Sequence, residues 1–417
     1  MSALALLRQS QFRRIFLAQS ISTLGDQIAP IAVAFAVLEV TGSGAALGLV
    51  LAARTLPMVV FLLLGGAWAD RLPRKSIMVV SDLVRLVTQG MFAVLLLQDA
   101  PPLWAMMALQ AGNGAASAFF KPASSGLVQE AVAPGERQSA NGLLSATSNI
   151  SAIAGPLIAA VLIALVGNAW AVGVDALSFG LSAIFLVGVI VPPRTSRERI
   201  GIGREIAEGF RAIVGTRWIG LMILEFSIFQ LLVLASFSVL GPVIADAHYD
   251  GATTWALVAA VVGAGALLGD ALSLRIRPRH PLLVANLFSF GFLPLFVALA
   301  LGAPVPVLLI CAIPFGISFS LPDTLWFTAL HDNVPDHLIA RVSSFDWMGS
   351  TALRPIGLAL VAPLAVVLGP AIVLGAAATI TAVSLLGVTL HPSVRGLSSG
   401  QPPAPDPGDD ARDTIPS

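Results

Sequence analysis

The sequence predicts an all-α membrane protein, with twelve transmembrane helices in two pseudo-symmetric six-helix bundles. Three observations carry that expectation. Of 417 residues, 56% are hydrophobic and only 11% charged, with a mean hydropathy of +0.88; soluble domains carry about 25% charged residues. The apolar residues gather into runs of about 20, the length that crosses the hydrocarbon core of a bilayer. The connections between runs are alternately rich in Lys and Arg and free of them, as a chain weaving through a membrane requires.

In order, the runs fall near 15–38, 45–69, 76–97, 102–121, 140–166, 169–191, 218–244, 253–274, 281–301, 304–329, 340–368 and 370–390. Span 1 follows Arg8, Arg13 and Arg14 and is too long for a signal-peptide core, with no convincing cleavage site. It is expected to act as its own uncleaved insertion signal. Spans 2 and 3 meet at the turn Gly66-Ala67-Trp68-Ala69-Asp70-Arg71-Leu72-Pro73-Arg74-Lys75. Gly66 permits close backbone approach, Pro73 stiffens the corner, and Arg71, Arg74 and Lys75 hold it at a charged membrane face.

Lys121 and Arg137, the arginines of 193–217, Arg275, Arg277, Arg279 and Arg341 continue the basic face. The opposite loops, near 39–45, 98–102, 166–169, 245–252, 302–304 and 369–370, contain no Lys or Arg. Both termini are therefore expected in the cytoplasm of a multi-pass inner (plasma) membrane protein.

The two halves read as copies. Val128 to Ala140, centred on Pro134, matches His331 to Arg341, centred on Pro335: each joins an apolar run to a Ser-rich one. The basic turn after Gly66 has a counterpart from Gly265 to Arg279 that keeps Pro278 and its cations but lacks the Asp-Arg pair. The expected organisation is an N-terminal bundle (1–192), a cytoplasmic linker (193–217), a C-terminal bundle (218–391) and a disordered tail (392–417). The linker, rich in Arg and Glu, suits either a surface helix on the inner leaflet or a plain charged connection. The Pro- and Asp-rich tail has a disordered composition.

The turn from Gly66 to Lys75 resembles the signature loop of the major facilitator superfamily, G-x-x-x-D-R-x-x-R-K, complete at its glycine, acid and base positions. Leu24-Gly25-Asp26, Ala118 to Ala123, Asp175 to Phe179, Arg341 to Trp347 and Leu353-Arg354-Pro355 are similar to the branch of drug:proton antiporters grouped with macrolide-efflux and enterobactin-exporter proteins. The resemblance covers about 10–390. It implies two bundles rocking about a central cavity lined by helices 1, 4, 7 and 10. Two departures stand out. The arginine that many antiporters carry in helix 4 is replaced by Ala108, ahead of Gly112-Asn113-Gly114. The helix 5 motif G-x-x-x-G-P reads Ser151, Gly155, Pro156, small residues that still permit close helix contact and a kink.

An ionisable group inside a span costs about 2.5–3.5 kcal/mol on insertion scales, so each needs a partner, a cavity or a function. Asp26, Arg54, Asp82, Arg85, Asp175, Glu225, Asp270, Asp346 and Arg354 are such groups. Asp26, midway along span 1, suits a carboxylate that takes up a proton and a cation alternately; it equally suits an acid pairing two helices. Arg54 and Arg354 precede Pro57 and Pro355, whose freed carbonyls can accept from a guanidinium. They are expected to hold a carboxylate, on Asp26 or on the cargo, or to pair structurally. Asp82 and Arg85, three apart, can pair with each other; Asp175 also reads as structural. Glu225 lies two turns into span 7, with Gln230 near the position that mirrors Asp26; both are candidates for the same cavity, Gln230 as a hydrogen-bonding group for cargo or equally as a polar packing contact. Asp346 is expected to meet Arg74 or Lys75 as a latch when the transporter faces outward, with Asp70 at the N-terminal end of helix 11. Phe119, Phe120, Trp326 and Phe327 are candidates for an apolar pocket, or for packing.

The expected function is secondary active transport: proton-coupled efflux of an amphipathic antibiotic, drug or siderophore by alternating access. An importer or facilitator on the same scaffold is the alternative within transport, and a non-transporting membrane receptor the alternative from another class. No enzyme activity is expected, nor any cofactor beyond the proton gradient as energy source; no Gly-x-x-x-x-Gly-Lys loop occurs. The single cysteine, Cys311, excludes an intramolecular disulfide and a Cys-rich metal cluster. The expected partners are a small-molecule cargo, protons and the lipid bilayer, with no nucleic acid, and the protein is expected to be monomeric.

Overall fold

The computed structural model describes residues 3–69, 72–190 and 216–398. Asp70, Arg71, the predicted linker up to residue 215 and the tail beyond residue 398 lie outside the described residues. So do the surroundings of Gly66, which falls near the end of a helix.

The N-terminal half comprises α1 (Ser10–Thr41), α2 (Gly44–Ala69), α3 (Arg74–Leu95), α4 (Leu103–Ala131), α5 (Arg137–Val166) and α6 (Asn168–Val187). The C-terminal half comprises α7 (Arg217–His248), α8 (Gly251–Ser273), α9 (Pro281–Ala300), α10 (Val305–Asn333), α11 (Asp336–Ala352, then Arg354–Leu368) and α12 (Pro370–Leu390). A last short helix, α13, spans Pro392–Arg395, so the tail expected from residue 392 starts with a helical turn. By length and composition, 11 helices among the described residues can cross a membrane; α4, with 29 residues, is long enough but more polar.

Lipid-facing and inward faces are legible in α3. Val80, Leu83, Val87, Met91 and Val94 recur at helical spacing and stay exposed. Met78, Asp82, Arg85, Gln89 and Phe92 form the buried stripe. The charged groups thus turn inward, away from hydrocarbon, where protein can satisfy them. Trp104 and Trp170, exposed at the starts of α4 and α6, suit an interfacial aromatic belt.

Packing repeats between the halves. α2 lies on α4 as α8 lies on α10, α1 on α6 as α7 on α12, and α3 on α6 as α9 on α12. The halves meet through α5 against α8 and α2 against α11, two contacts that interchange when the halves are swapped. That is the internal two-fold the sequence repeats predict.

The apolar cores show how the halves sit together. One cluster joins both: Val33, Phe35 and Val50 of the first half with Val239, Ile244, Leu358 and Val361 of the second. Near the Arg74–Lys75 turn the cores are separate. Phe12, Ile15, Ile77 and Leu127 belong to one, Trp218, Met222, Trp326 and Leu330 to the other. The halves are fused at the far face and part toward the basic face. At the fused end the approach is intimate: a methyl group on Gly48 of α2 would overlap the carbonyl oxygen of Leu358 in α11.

Three local features depart from the predicted spans. α4 runs on to Ala131, so Lys121 lies about 15 Å inside the helix end rather than at the basic face. α7 widens into a π turn at Gln230–Leu234. α11 breaks at Leu353, where Pro355 in the next turn has no N–H to continue the ladder. His248 and His331 close the last turns of α7 and α10.

Candidate transport site

In the N-terminal half Asp26, Arg54, Asp82 and Arg85 form one network. Arg54 of α2 reaches Asp26 of α1 at 3.4 Å, and Arg85 of α3 reaches the other oxygen of Asp26 at 3.2 Å. Arg85 also donates to Asp82 at 2.5 Å and to Ser22 Oγ at 3.3 Å, while Ser182 of α6 donates to Asp82 at 2.6 Å. The Arg85 guanidinium lies over two rings, 4.3 Å from the centroid of Phe120 and 4.1 Å from that of Phe179. A guanidinium that bonds two carboxylates and approaches two aromatic rings is desolvated and held by several contacts at once.

Arg85 is therefore shared between Asp82 and Asp26, where the spacing alone suggested a closed pair with Asp82. Within the network Asp26 has the most exposed side chain, 36% against 22% for Arg54, 2% for Arg85 and 0% for Asp82. Asp175 of α6 lies beside it, fully buried, with neither carboxylate oxygen hydrogen-bonded. Gly25 makes room for Asp175: a Cβ there would sit 2.7 Å from Asp175 Oδ1.

The helix 5 motif packs against the same place. Ser151 and Pro156 are buried, and a Cβ on Gly155 would lie 2.5 Å from Cβ of Gln27, the residue after Asp26. Glycine lets α5 press on α1 where the carboxylate sits.

The C-terminal half holds a cavity of about 450 Å³ between α7, α8, α10 and α11. Glu225, Gln230, Asp270, Asp323 and Asp346 line it, with Phe226, Phe229, Phe319, Phe327 and Trp347 as aromatic walls. Asn149 of α5 reaches it from the other half. Glu225 is 1% exposed and its Oε1 has no hydrogen-bond partner; Gln230 Oε1, on the π turn, has none either. Asp346 accepts from Trp326 Nε1 at 2.9 Å, and Asp270 from Ser320 Oγ at 2.5 Å.

Several of the expected contacts do not form among the described residues. Asp346 turns into its own half toward Trp326, while Arg74 lies 3.3 Å from Glu130 and Lys75 donates to the Val187 carbonyl at 2.8 Å. The halves are parted at this face and Asp346 makes no ion pair with Arg74 or Lys75 among the described residues; the latch is an expectation for the outward-facing form. Arg354 forms no ion pair with Asp26 among the described residues, and its Nε is buried without a hydrogen-bond partner. Neither Arg54 nor Arg354 bonds a proline-freed carbonyl among the described residues; for Arg54 the Asp26 carboxylate is the stronger acceptor. Of the four aromatics offered for a pocket or for packing, Phe327 lines the cavity, Phe120 stacks on Arg85, Phe119 lies 6.1 Å from Phe61 between ring centroids, and Trp326 is buried in the core.

Sequence reasoning passed over Asp323 and misplaced Lys121. Asp323 follows Pro322 inside span 10, an acid in an apolar run by the same criterion that found the others. Lys121 sits with its ammonium 4.4 Å from the ring centroid of Trp347, across the gap between the halves.

Two helical bundles related by an internal two-fold, parted at one face and carrying buried charge at the centre, define a polytopic membrane carrier. The chain belongs to the major facilitator superfamily, whose family model matches residues 15–358. It is a multi-pass membrane transporter and not an enzyme. It is 27% identical to the multidrug efflux pump Tap of Mycobacterium tuberculosis (strain ATCC 25618 / H37Rv) over 368 residues, covering 84% of this chain and 86% of that protein. It is 26% identical to the enterobactin exporter EntS of Citrobacter koseri over 408 residues, 95% of each chain. Among solved structures, that of the nucleoside transporter NupG superposes with a TM-score of 0.74 at 12% identity, covering 91% of this chain and 98% of that one, a likeness of fold alone.

Proposed function

We propose that this chain exports an amphipathic small molecule across the inner membrane in exchange for protons, with both termini in the cytoplasm. The observation that carries the reading is the position of Asp26. It has the most exposed side chain in an ion-pair network whose Arg85 and Asp82 are buried. Its negative charge is compensated by two guanidiniums, so a proton that binds Asp26 releases Arg54 and one bond of Arg85, while Arg85 keeps Asp82.

That exchange changes what holds α1, α2 and α3 together without unfolding them. Proton binding from outside favours one arrangement and cargo release there; proton loss toward the cytoplasm restores the pairs and lets cargo bind again. A ligand shifts such an equilibrium only through different interactions in the two states. The parted basic face is then the cytoplasm-facing form, which the Lys and Arg distribution supports. The names of the relatives, a multidrug efflux pump and an enterobactin exporter, support export and an amphipathic cargo.

Everted membrane vesicles test the reading. Vesicles carrying the protein are expected to accumulate members of a dye and antibiotic panel when their interior is acidified. Asp26→Asn is expected to lose gradient-driven accumulation while inserting normally. Undiminished accumulation by Asp26→Asn removes Asp26 from coupling, and no accumulation of any panel member by the native protein contradicts export.

A further inference from the structure

We infer that the cavity of the C-terminal half is a binding site for a protonated amine with an aromatic or other apolar body, and that Lys121 is the built-in cation such a ligand displaces. The inference rests on the export reading and specifies its cargo class.

The lining of the cavity is unbalanced in charge and in hydrogen bonding. Four carboxylates, Glu225, Asp270, Asp323 and Asp346, come to it from four helices. Among the described residues none of them has a cation within 4.0 Å, whereas Asp26 and Asp82 of the other half both do. The buried atoms left without partners here, Glu225 Oε1, Gln230 Oε1 and Asp346 Oδ1, are all oxygens. A carboxylate accepts only, and a buried acceptor without a donor is costly. The missing complement is therefore a positively charged group that brings N–H donors.

The remaining geometry separates an amine from other cations. Among the described residues no three His, Cys, Asp or Glu side chains converge closely enough to hold a metal ion, so a compact divalent ion finds no ligand shell. The walls are aromatic, which suits the face-on approach of an ammonium and packing of an apolar body. At about 450 Å³ the space is of ligand size.

Lys121 supplies an internal precedent. Its ammonium already lies over the ring of Trp347, a wall residue, at 4.4 Å, and acts electrostatically on Asp323. Lys121 belongs to α4 in one half and Trp347 to α11 in the other. An incoming amine that takes the aromatic face and the carboxylates displaces Lys121, and with it a contact between the halves.

Binding of 4-(1-naphthyl)butylamine to the full-length protein in lipid nanodiscs, measured by equilibrium dialysis against the alcohol and the carboxylate of the same skeleton, tests the inference. The amine is expected to bind at least about tenfold more tightly than either, the scale of one charge-assisted hydrogen bond. Glu225→Gln is expected to weaken the amine about tenfold and to leave the alcohol unchanged. Asp323→Asn, at a more exposed position, makes the same comparison if Glu225→Gln does not fold. Lys121→Met is expected to tighten the amine severalfold by removing its competitor. Equal or tighter binding of the alcohol or carboxylate, or weaker amine binding in Lys121→Met, overturns the inference. Everted vesicles given the same three compounds separate the two readings. Export of the alcohol or carboxylate without amine binding sinks the cation site and leaves export standing, whereas amine binding without export of any compound does the reverse.

Discussion

Arg85 shows at the scale of one residue how this fold tolerates charge in a membrane. Two carboxylates, a serine and two aromatic faces surround a guanidinium that is 2% exposed. Breaking a buried pair from one side costs about 3–5 kcal/mol, because the other charge is left behind. Arg85→Met is therefore expected to lower thermal stability in detergent by that order. Arg85→Met combined with Asp82→Asn is expected to recover much of the loss, since no lone buried acid remains at position 82. An Arg85→Met protein as stable as the native one contradicts the structural weight given to the network. The sequence made the Asp82–Arg85 pairing legible, because three-residue spacing on a helix fixes the neighbours. It did not make Arg85–Asp26 or Arg54–Asp26 legible, because partners on different helices depend on how α1, α2 and α3 rotate against each other. Lys121 was misplaced for a related reason: a cation at the end of an apolar run reads as a membrane boundary, while α4 continues through Ser and Gly to Ala131.

Single elements carry the conformational hardware. α2 and α11 touch through Gly48, where any side chain meets the carbonyl of Leu358. Gly48→Leu is expected to hold the far face apart. In a Cys311→Ser background, spin labels on Asp99 and Gly302, in far-face loops of opposite halves, are expected to report a longer distance than in the native contact. An unchanged distance contradicts the assignment of this contact as the far-face seal. The α5–α1 contact behaves similarly: Gly155→Val is expected to push α5 off Gln27, with reduced accumulation in everted vesicles as the readout. Eleven of the helices were legible as long apolar runs, and α4 as a shorter one. The π turn of α7 and the break in α11 were only partly so. Pro355 marks a place where the ladder fails, but no sequence pattern distinguishes a π turn from an ordinary helix at Gln230.

At the scale of the molecule, the duplicated sequence becomes two bundles with interchangeable contacts, and the halves then divide the labour. The first pairs Asp26, Arg54, Asp82 and Arg85 with one another and leaves Asp175 buried without a partner; the second leaves four carboxylates around a cavity without a paired cation among the described residues. That division was not legible in the sequence, which places similar numbers of acids in both halves. It emerges only once pairing is known, and it underlies the proposal that Asp26 exchanges protons while the second half takes cargo. Proton flux and cargo flux recorded together in proteoliposomes test this account most directly. With an exported dye as cargo, each cargo movement is expected to be accompanied by protons moving the opposite way, and Asp26→Asn to remove the proton component. Cargo moving with protons in the same direction, or with no proton movement at all, contradicts it.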